Sequence, residues 1–295
     1  MDPFKDKYFV FIVSGGRTGT RFLGETLSKV IDNSFSVHEP DVFVPRRGFS
    51  DFWKKIKVFG LYQIFLGKIL QTTGIRNLSQ NYLSGKYNLE DVQQSLIAQR
   101  RKYYESIDKE LIIESYGGWY GCIPAIRSLY ANYRIIVLPR NPKSWATSVM
   151  NRSALFGRLD LVTLSGLGRL TPALIGDDEY KQKWRHFNRF QRVCWTYKTQ
   201  YETMVREVQG DENSRVTKFE DLFESRDRYD NLCNLLEFTT TFNDKKFECS
   251  VPADILEKKI HETSSFDFPS PDSWDDELLK QYQQISGSIA ARLGY

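Results

Sequence analysis

Between Tyr8 and Ile31 the sequence YFVFIVSGGRTGTRFLGETLSKVI runs a strand, a glycine-rich turn and a helix together without a break. Tyr8 to Val13 is an unbroken apolar and aromatic run, the pattern of a strand buried on both faces of a parallel sheet. Ser14-Gly15-Gly16-Arg17-Thr18-Gly19-Thr20 follows, small residues whose backbone N–H groups can turn toward one point. Phe22, Leu23, Leu27, Val30 and Ile31 then fall at helical spacing. A helix start leaves backbone donors unpaired and carries the positive end of the dipole, and glycines beside it let an anion approach closely. The stretch therefore reads as an anion site, with Arg17 and Arg21 adding charge; the plainer alternative is a tight turn whose glycines serve packing alone. Kinases and GTPases carry G-x-x-x-x-G-K-[ST] at such a turn. No Gly-Lys-Ser/Thr stands here, so ordinary nucleoside triphosphate use is disfavoured.

Composition narrows the class further. A chain of 295 residues, 41% of them hydrophobic, can bury a substantial core, and we read residues 1–295 as one α/β domain. A net charge of +4 favours anionic ligands without reaching the basicity of a nucleic-acid binder, and no nucleic-acid motif is found. Cys122, Cys194, Cys233 and Cys249 are scattered, and His38, His186 and His261 are the only histidines, so no metal site is expected and the thiols read as reduced. The N-terminal MDPFKDK is charged and passes straight into the first strand, and no later window offers a membrane span; the expectation is a soluble, cytoplasmic protein.

The strands that follow repeat the pattern of an apolar run with a polar end. Ser34 to Val37 is expected as a second strand ending at His38-Glu39-Pro40, Leu111-Ile112-Ile113 as a third ending at Glu114, and Arg134 to Leu138 as a fourth ending at Pro139-Arg140-Asn141-Pro142-Lys143. Arg215 to Phe219 is expected as a fifth. Ligands of open parallel sheets bind beyond the carboxyl ends of the strands, so these polar ends face the glycine-rich turn. Where a P-loop triphosphatase would place an aspartate for magnesium, Arg140 points to a bound anion. Ser148, eight residues on in the next helix, can share that anion. Residues 45–110 break the rhythm and read as a helical insertion or lid on the acceptor side. There Arg46, Arg47, Lys54, Lys55, Lys57 and Lys68 interleave with aromatic and aliphatic residues. Such a piece either contacts a membrane surface, here through residues 46–70, or packs on the body with its lysines outward. Leu89 to Tyr104 reads as a surface helix, Tyr180 to Val208 as one long helix whose apolar face is core, and Ser165 to Asp178 as a mobile loop over the site.

Taken as a set, these residues resemble the sulfotransferase family that uses 3′-phosphoadenosine 5′-phosphosulfate. Gly16-Arg17-Thr18-Gly19-Thr20 is similar to the family's 5′-phosphosulfate loop, and Arg140-Asn141-Pro142-Lys143 with Ser148 to its 3′-phosphate motif. Phe219-Glu220-Asp221-Leu222 is similar to the family's Tyr-Glu-Asp-Leu segment, and Trp274 with the final Leu-Gly-Tyr to a common family ending. The resemblance implies a P-loop-like sulfotransferase fold, a single α/β domain with a central parallel sheet flanked by helices. It implies that Arg17 holds the 5′-phosphate and bridging oxygen, with Thr18, Gly19, Thr20 and Arg21 around the sulfate and phosphate. Arg140 and Ser148 would hold the 3′-phosphate, and Phe22 would lie near the adenine. Lys258 and Lys259 fall where relatives keep a nucleotide-closing segment but lack its fuller Arg-Lys-Gly pattern.

Sulfuryl transfer to an acceptor oxygen or nitrogen needs a stabilised leaving group and a base, and no metal. Arg17 is expected in the first task. For the second, Glu39 matches the catalytic glutamate of the Golgi-type and tyrosine-modifying branches, and the neighbouring His38 is the alternative. Adjacent strand residues face opposite ways, so one of the two is expected in the cleft. The Lys-Ser/Thr-His of many cytosolic relatives is replaced here by Glu114-Ser115-Tyr116, which leaves Glu114 as a second carboxylate, either reactive or bonded at the strand end. The expected donor is 3′-phosphoadenosine 5′-phosphosulfate, the product adenosine 3′,5′-bisphosphate, and the acceptor a small molecule, glycan or lipid; oligomeric state is left open. A P-loop kinase and a non-catalytic anion-binding module are the competing readings.

Overall fold

A six-residue apolar run without a charge finds shelter only inside a sheet, and every residue of β1 (Tyr8–Val13) is buried. After it come α1 (Thr20–Thr26), β2 (Ser34–His38), α2 (Gly48–Phe59), α3 (Ile75–Leu83), α4 (Leu89–Glu105) and β3 (Leu111–Ser115). The chain continues through α5 (Ile123–Leu129), β4 (Asn132–Val137), α6 (Pro142–Arg152), α7 (Arg189–Val208), β5 (Ser214–Val216), α8 (Phe219–Phe223), α9 (Arg228–Thr240) and α10 (Asp276–Arg292). The computed structural model describes residues 2–42, 48–157, 160, 169–256 and 267–295. Its strands form one five-stranded parallel sheet in the order β2-β3-β1-β4-β5. The chain leaves β1 toward β2 on one side and later crosses from β3 to β4 on the other. The crevice beyond the ends of β1 and β4 is therefore where the topology reverses.

Alternate residues of β1 serve opposite faces of the sheet. Phe9, Phe11 and Val13 join Ile112, Ile135 and Val137 under Tyr104 of α4, Ile126 of α5 and Val193 of α7. Tyr8, Val10 and Ile12 join Leu111 and Ile113 under Leu23 of α1 and Leu232 of α9. α1 comes close to the end of β2: a Cβ on Gly24 would lie 2.9 Å from both the backbone N and the Cβ of His38. That close approach sets the angle at which the end of β2 meets the loop after β1.

Three elements differ from the sequence expectation, each for a local reason. β5 ends at Val216, because Thr217 N bonds Val137 O at 2.9 Å and Phe219 N bonds Pro139 O at 2.7 Å as the chain turns into α8. The expected helix from Tyr180 starts only at Arg189, where Asn188 and Gln191 form a reciprocal capping box; short turns at Asp178–Lys181 and Lys183–Arg185 precede it. α4 is more than a surface helix, since Val92, Leu96, Arg100, Tyr103 and Tyr104 are all buried.

Candidate functional site

The loop between β1 and α1 is held from three sides. Gly16, Arg17 and Gly19 have φ of 76°, 59° and 74°. The left-handed Arg17 is the uncommon one, a conformation that costs an L-residue about 1 kcal/mol. Gly19 has no room for a side chain, because a Cβ there would stand 2.6 Å from the Phe223 ring. Tyr201 of α7 accepts from Gly15 N at 3.0 Å and donates to Leu138 O at 3.1 Å, and so ties the loop to the end of β4. Trp145 of α6 donates its indole N–H to Gly16 O at 2.9 Å. From the β3 side Gly117 leans on Ser14, where a Cβ would come 2.9 Å from the carbonyl oxygen.

Arg140, at the end of β4, reaches the same loop. Its Nη1 donates to Arg17 O at 3.1 Å, and its guanidinium lies 4.5 Å from the Phe219 ring centroid. Arg17 Nε in turn donates to Ser148 Oγ of α6 at 3.3 Å. Burial, and then the charges of Arg152 and Arg140, hold the Arg17 guanidinium below its ordinary pKa. Burial does the same to Arg140, opposed by Glu224 and Glu220. Behind the arginines, Asn141 caps α6 by accepting from Lys143 N at 3.0 Å and Ser144 N at 3.3 Å. The Asn141 N–H bonds Glu220 at 2.7 Å, and Tyr295 donates to the other Glu220 oxygen at 2.8 Å. Four separated sequence motifs thus meet at one place.

The opposite wall comes from β2. Glu39 has φ of 49°, bonds Ser115 O through its N–H at 3.2 Å, and lines a cavity of about 260 Å³. The same cavity is walled by Gly16, Arg17, Arg76, Trp145 and Trp195. His38 is not on that wall: its Nδ1 bonds Ser115 O at 2.9 Å, which places the proton on Nδ1, and its Nε2 lies 3.9 Å from Glu39 Oε2. Burial holds His38 below its ordinary pKa although Glu39 pulls the other way, so the ring is neutral at neutral pH. Arg76 of α3 is held above its ordinary value by Tyr116 and, against burial, by Glu39.

Glu114 is placed in a different role from that of a second reactive carboxylate. It is fully buried, pairs with Arg100 Nε at 3.3 Å and accepts from Tyr104 OH at 3.0 Å. Of the remaining expected residues, Thr18 and Thr20 are buried in the loop. Arg21 is half exposed and pairs with Glu25 at 2.8 Å. Phe22 sits in the core, edge-on to Phe223 at 5.6 Å. Arg46, Arg47, Lys258 and Lys259 lie outside the described residues, as does most of the expected loop from Ser165. Two buried polar atoms, Thr18 Oγ1 in the loop and Arg140 Nε, have no hydrogen-bond partner among the described residues.

Sequence reasoning missed Arg152 and Arg76. Arg152 stands four residues after Ser148 on one helix face, a spacing that could have revealed it. Arg76 fell in the stretch without a readable motif. Tyr197 and Tyr201 are core residues as expected, but their hydroxyls also serve the site, that of Tyr197 by donating to Arg140 O at 2.8 Å.

Among the described residues no cluster of His, Cys, Asp or Glu could hold a metal ion, and no helix is long and apolar enough to cross a membrane. No family model matches the sequence, and no curated protein does. Solved structures do. A sulfotransferase from Mycobacterium avium is 13% identical with a TM-score of 0.52, over 97% of this chain and 77% of that one. The sulfotransferase domain of the Synechococcus PCC 7002 olefin synthase is 16% identical with a TM-score of 0.46, over 99% and 96%. A sulfotransferase from Alicyclobacillus acidocaldarius is 16% identical with a TM-score of 0.42, over 96% and 93%. With its parallel sheet in the order β2-β3-β1-β4-β5 and the overlap with the mycobacterial enzyme running along nearly its whole length, the chain has the sulfotransferase fold.

Proposed function

We propose that this protein is a sulfotransferase that moves a sulfuryl group from 3′-phosphoadenosine 5′-phosphosulfate to a hydroxyl or amine of a small-molecule, glycan or lipid acceptor. The observation that carries the reading is the meeting of Arg140 with the loop at Arg17, 3.1 Å from guanidinium to carbonyl, while Arg17 and Glu39 line one cavity. In this reading the loop N–H groups, Thr18 and Arg17 hold the 5′ end of the donor, and Arg140 and Ser148 hold the 3′-phosphate. Glu39 takes the proton from the acceptor as its oxygen or nitrogen bonds to sulfur. The bond from sulfur to the bridging oxygen breaks in line, and Arg17 meets the charge left on the departing adenosine 3′,5′-bisphosphate. His38, neutral and bonded through Nδ1, orients the turn that carries Glu39. Tryptophan walls suit an acceptor with an apolar body, and Arg76 would set the acceptor's polar end beside Glu39.

The test is transfer of labelled sulfate from the donor to a panel of acceptors. Glu39→Gln is expected to lower kcat roughly 10²- to 10⁴-fold, the range of a positioned general base, while affinity for the bisphosphate stays unchanged. Undiminished turnover in Glu39→Gln would remove Glu39 as the base. Bisphosphate binding with no turnover of any acceptor would favour a binding module. Thermal stabilisation by ATP with magnesium and none by the bisphosphate would favour a kinase.

A further inference from the structure

The segment between α2 and α3 presents its amphipathic faces in the reverse of the usual order. Gly60 N bonds Ile56 O at 2.8 Å and Ile64 N bonds Gly60 O at 3.2 Å, so α2 runs on almost continuously into the helical turns Tyr62–Leu66 and Gly67–Ile69. Leu61, Tyr62, Phe65, Leu66, Ile69 and Leu70 recur at helical spacing, and this face is the outer one, each residue between 48% and 61% exposed. The inner face buries Ile64 and, beside it, polar groups. Gln63 donates to Gln99 O at 3.2 Å, its own carbonyl accepts from Thr73 at 3.0 Å, and Lys68 lies 3.8 Å from the buried Asp41 carboxylate. These bonds fix the rotation of the segment. Turning the apolar side inward would take Gln63 and Lys68 from their partners, so the packing beneath holds the apolar face outward.

We propose that this face docks the protein on an anionic lipid bilayer. Contiguous exposed apolar surface of this kind marks an interaction site, and its surroundings are cationic. From Phe52 to Asn88 the chain carries Lys54, Lys55, Lys57, Lys68, Arg76 and Lys86 and no Asp or Glu. Lys55 and Lys68 are turned inward to Val42 O and Asp41, which leaves Lys54 and Lys57 exposed on α2. Beside them stands Trp53, 64% exposed and one helical turn from Lys57, an amphipathic ring of the type that settles at headgroup level. An exposed apolar face that follows directly in the chain on two exposed lysines and an exposed tryptophan matches the interfacial helices that lie in the plane of a bilayer surface. A second copy of the chain fits less well. Two copies meeting through the same patch would bring the lysines of both into one interface with no Asp or Glu from residues 52–88 to meet them, whereas acidic lipid complements them. The segment leads directly into α3, whose Arg76 and Gln80 line the cavity, so the docking face and the acceptor wall are consecutive parts of one chain.

The experiment is flotation of the full-length protein with vesicles of phosphatidylcholine alone and of phosphatidylcholine with phosphatidylglycerol. Wild-type protein is expected to float with the anionic vesicles, and Phe65→Ser, Leu66→Ser and Ile69→Ser together to abolish flotation. These positions are solvent-facing, so the triple variant should keep its circular dichroism and bisphosphate affinity, which separates this outcome from misfolding and from failure of the proposed enzymatic role. Lys54→Glu with Lys57→Glu should weaken binding to anionic vesicles by at least about thirtyfold, the effect of losing two lysines at a charged surface. Absence of wild-type flotation, or equal flotation of the triple variant, overturns the proposal. So does a wild-type dimer in sedimentation velocity that the triple variant dissociates while neither protein floats, which would give the face to a second copy.

Discussion

Arg17→Ala is expected to leave the protein folded yet weaken its affinity for adenosine 3′,5′-bisphosphate by roughly ten- to 150-fold, the equivalent of one lost charge-assisted hydrogen bond at about 1.5–3 kcal/mol. Turnover should fall further, by roughly 10²- to 10³-fold in kcat, because the bridging oxygen gains charge only as the sulfur bond breaks. The unliganded variant should be no less stable than wild type, and this combination is what distinguishes a ligand cation from a structural one. Arg17 is disfavoured by burial and by the charges of Arg152 and Arg140, and among the described residues its side chain bonds Ser148 Oγ at 3.3 Å. Isothermal titration with the bisphosphate, single-turnover transfer and a thermal melt read the three effects separately. Unaltered affinity would take Arg17 out of the site.

Arg100→Met is expected to destabilise the protein by about 3–5 kcal/mol, seen as a lower urea midpoint at neutral pH. Arg100, Asp41 and Glu114 are all fully buried; Arg100 Nη2 bonds Asp41 at 3.3 Å and Nε pairs with Glu114 at 3.3 Å. The rings of Phe59 and Trp119 lie 5.5 and 5.9 Å from the guanidinium, so no water replaces it cheaply. Burial pulls the Asp41 carboxyl up, but Arg100 and Lys68 outweigh it and hold the group below its ordinary 3.8. A depressed carboxyl stabilises the fold above the unfolded value, and that stability is lost as pH falls through the folded one. Glu114 is the opposite case, raised by burial against Arg100, and takes up its proton earlier on acidification. Without Arg100 both carboxyls rise, so the penalty should be largest at neutral pH and shrink toward pH 4 as they protonate. Adding Asp41→Asn and Glu114→Gln to Arg100→Met should recover part of the loss. A cost below about 1 kcal/mol would mean the network is dispensable.

The site was legible in sequence where chemistry sits next to a strand end. Six apolar residues followed by glycines define β1 and its loop, and a basic residue at the end of the next strand over defines Arg140. Contacts between distant segments were not legible. Glu114 stayed open between a reactive and a bonded carboxylate because nothing near it in sequence announces Arg100, which occupies the middle of a helix where a charge ordinarily faces water. Residues 45–110 read as a basic, aromatic amphipathic piece, but such a pattern says only that two faces differ. Which face turns inward depends on Asp41 and Gln99, on other elements. The start of α7 was misplaced because Trp184 and Phe187 continue its apolar spacing past the cap at Asn188, and a cap outranks spacing when it satisfies two backbone donors at once.

Arg17, buried with Arg152 and Arg140 as neighbours, keeps its charge against both desolvation and like-charge repulsion. Any small oxyanion reaching that corner relieves both, whether or not it belongs to the reaction. With the proposed site, phosphate or sulfate in a buffer is expected to compete with adenosine 3′,5′-bisphosphate and to raise the melting temperature at the same time, so a thermal melt with and without phosphate checks this corner directly.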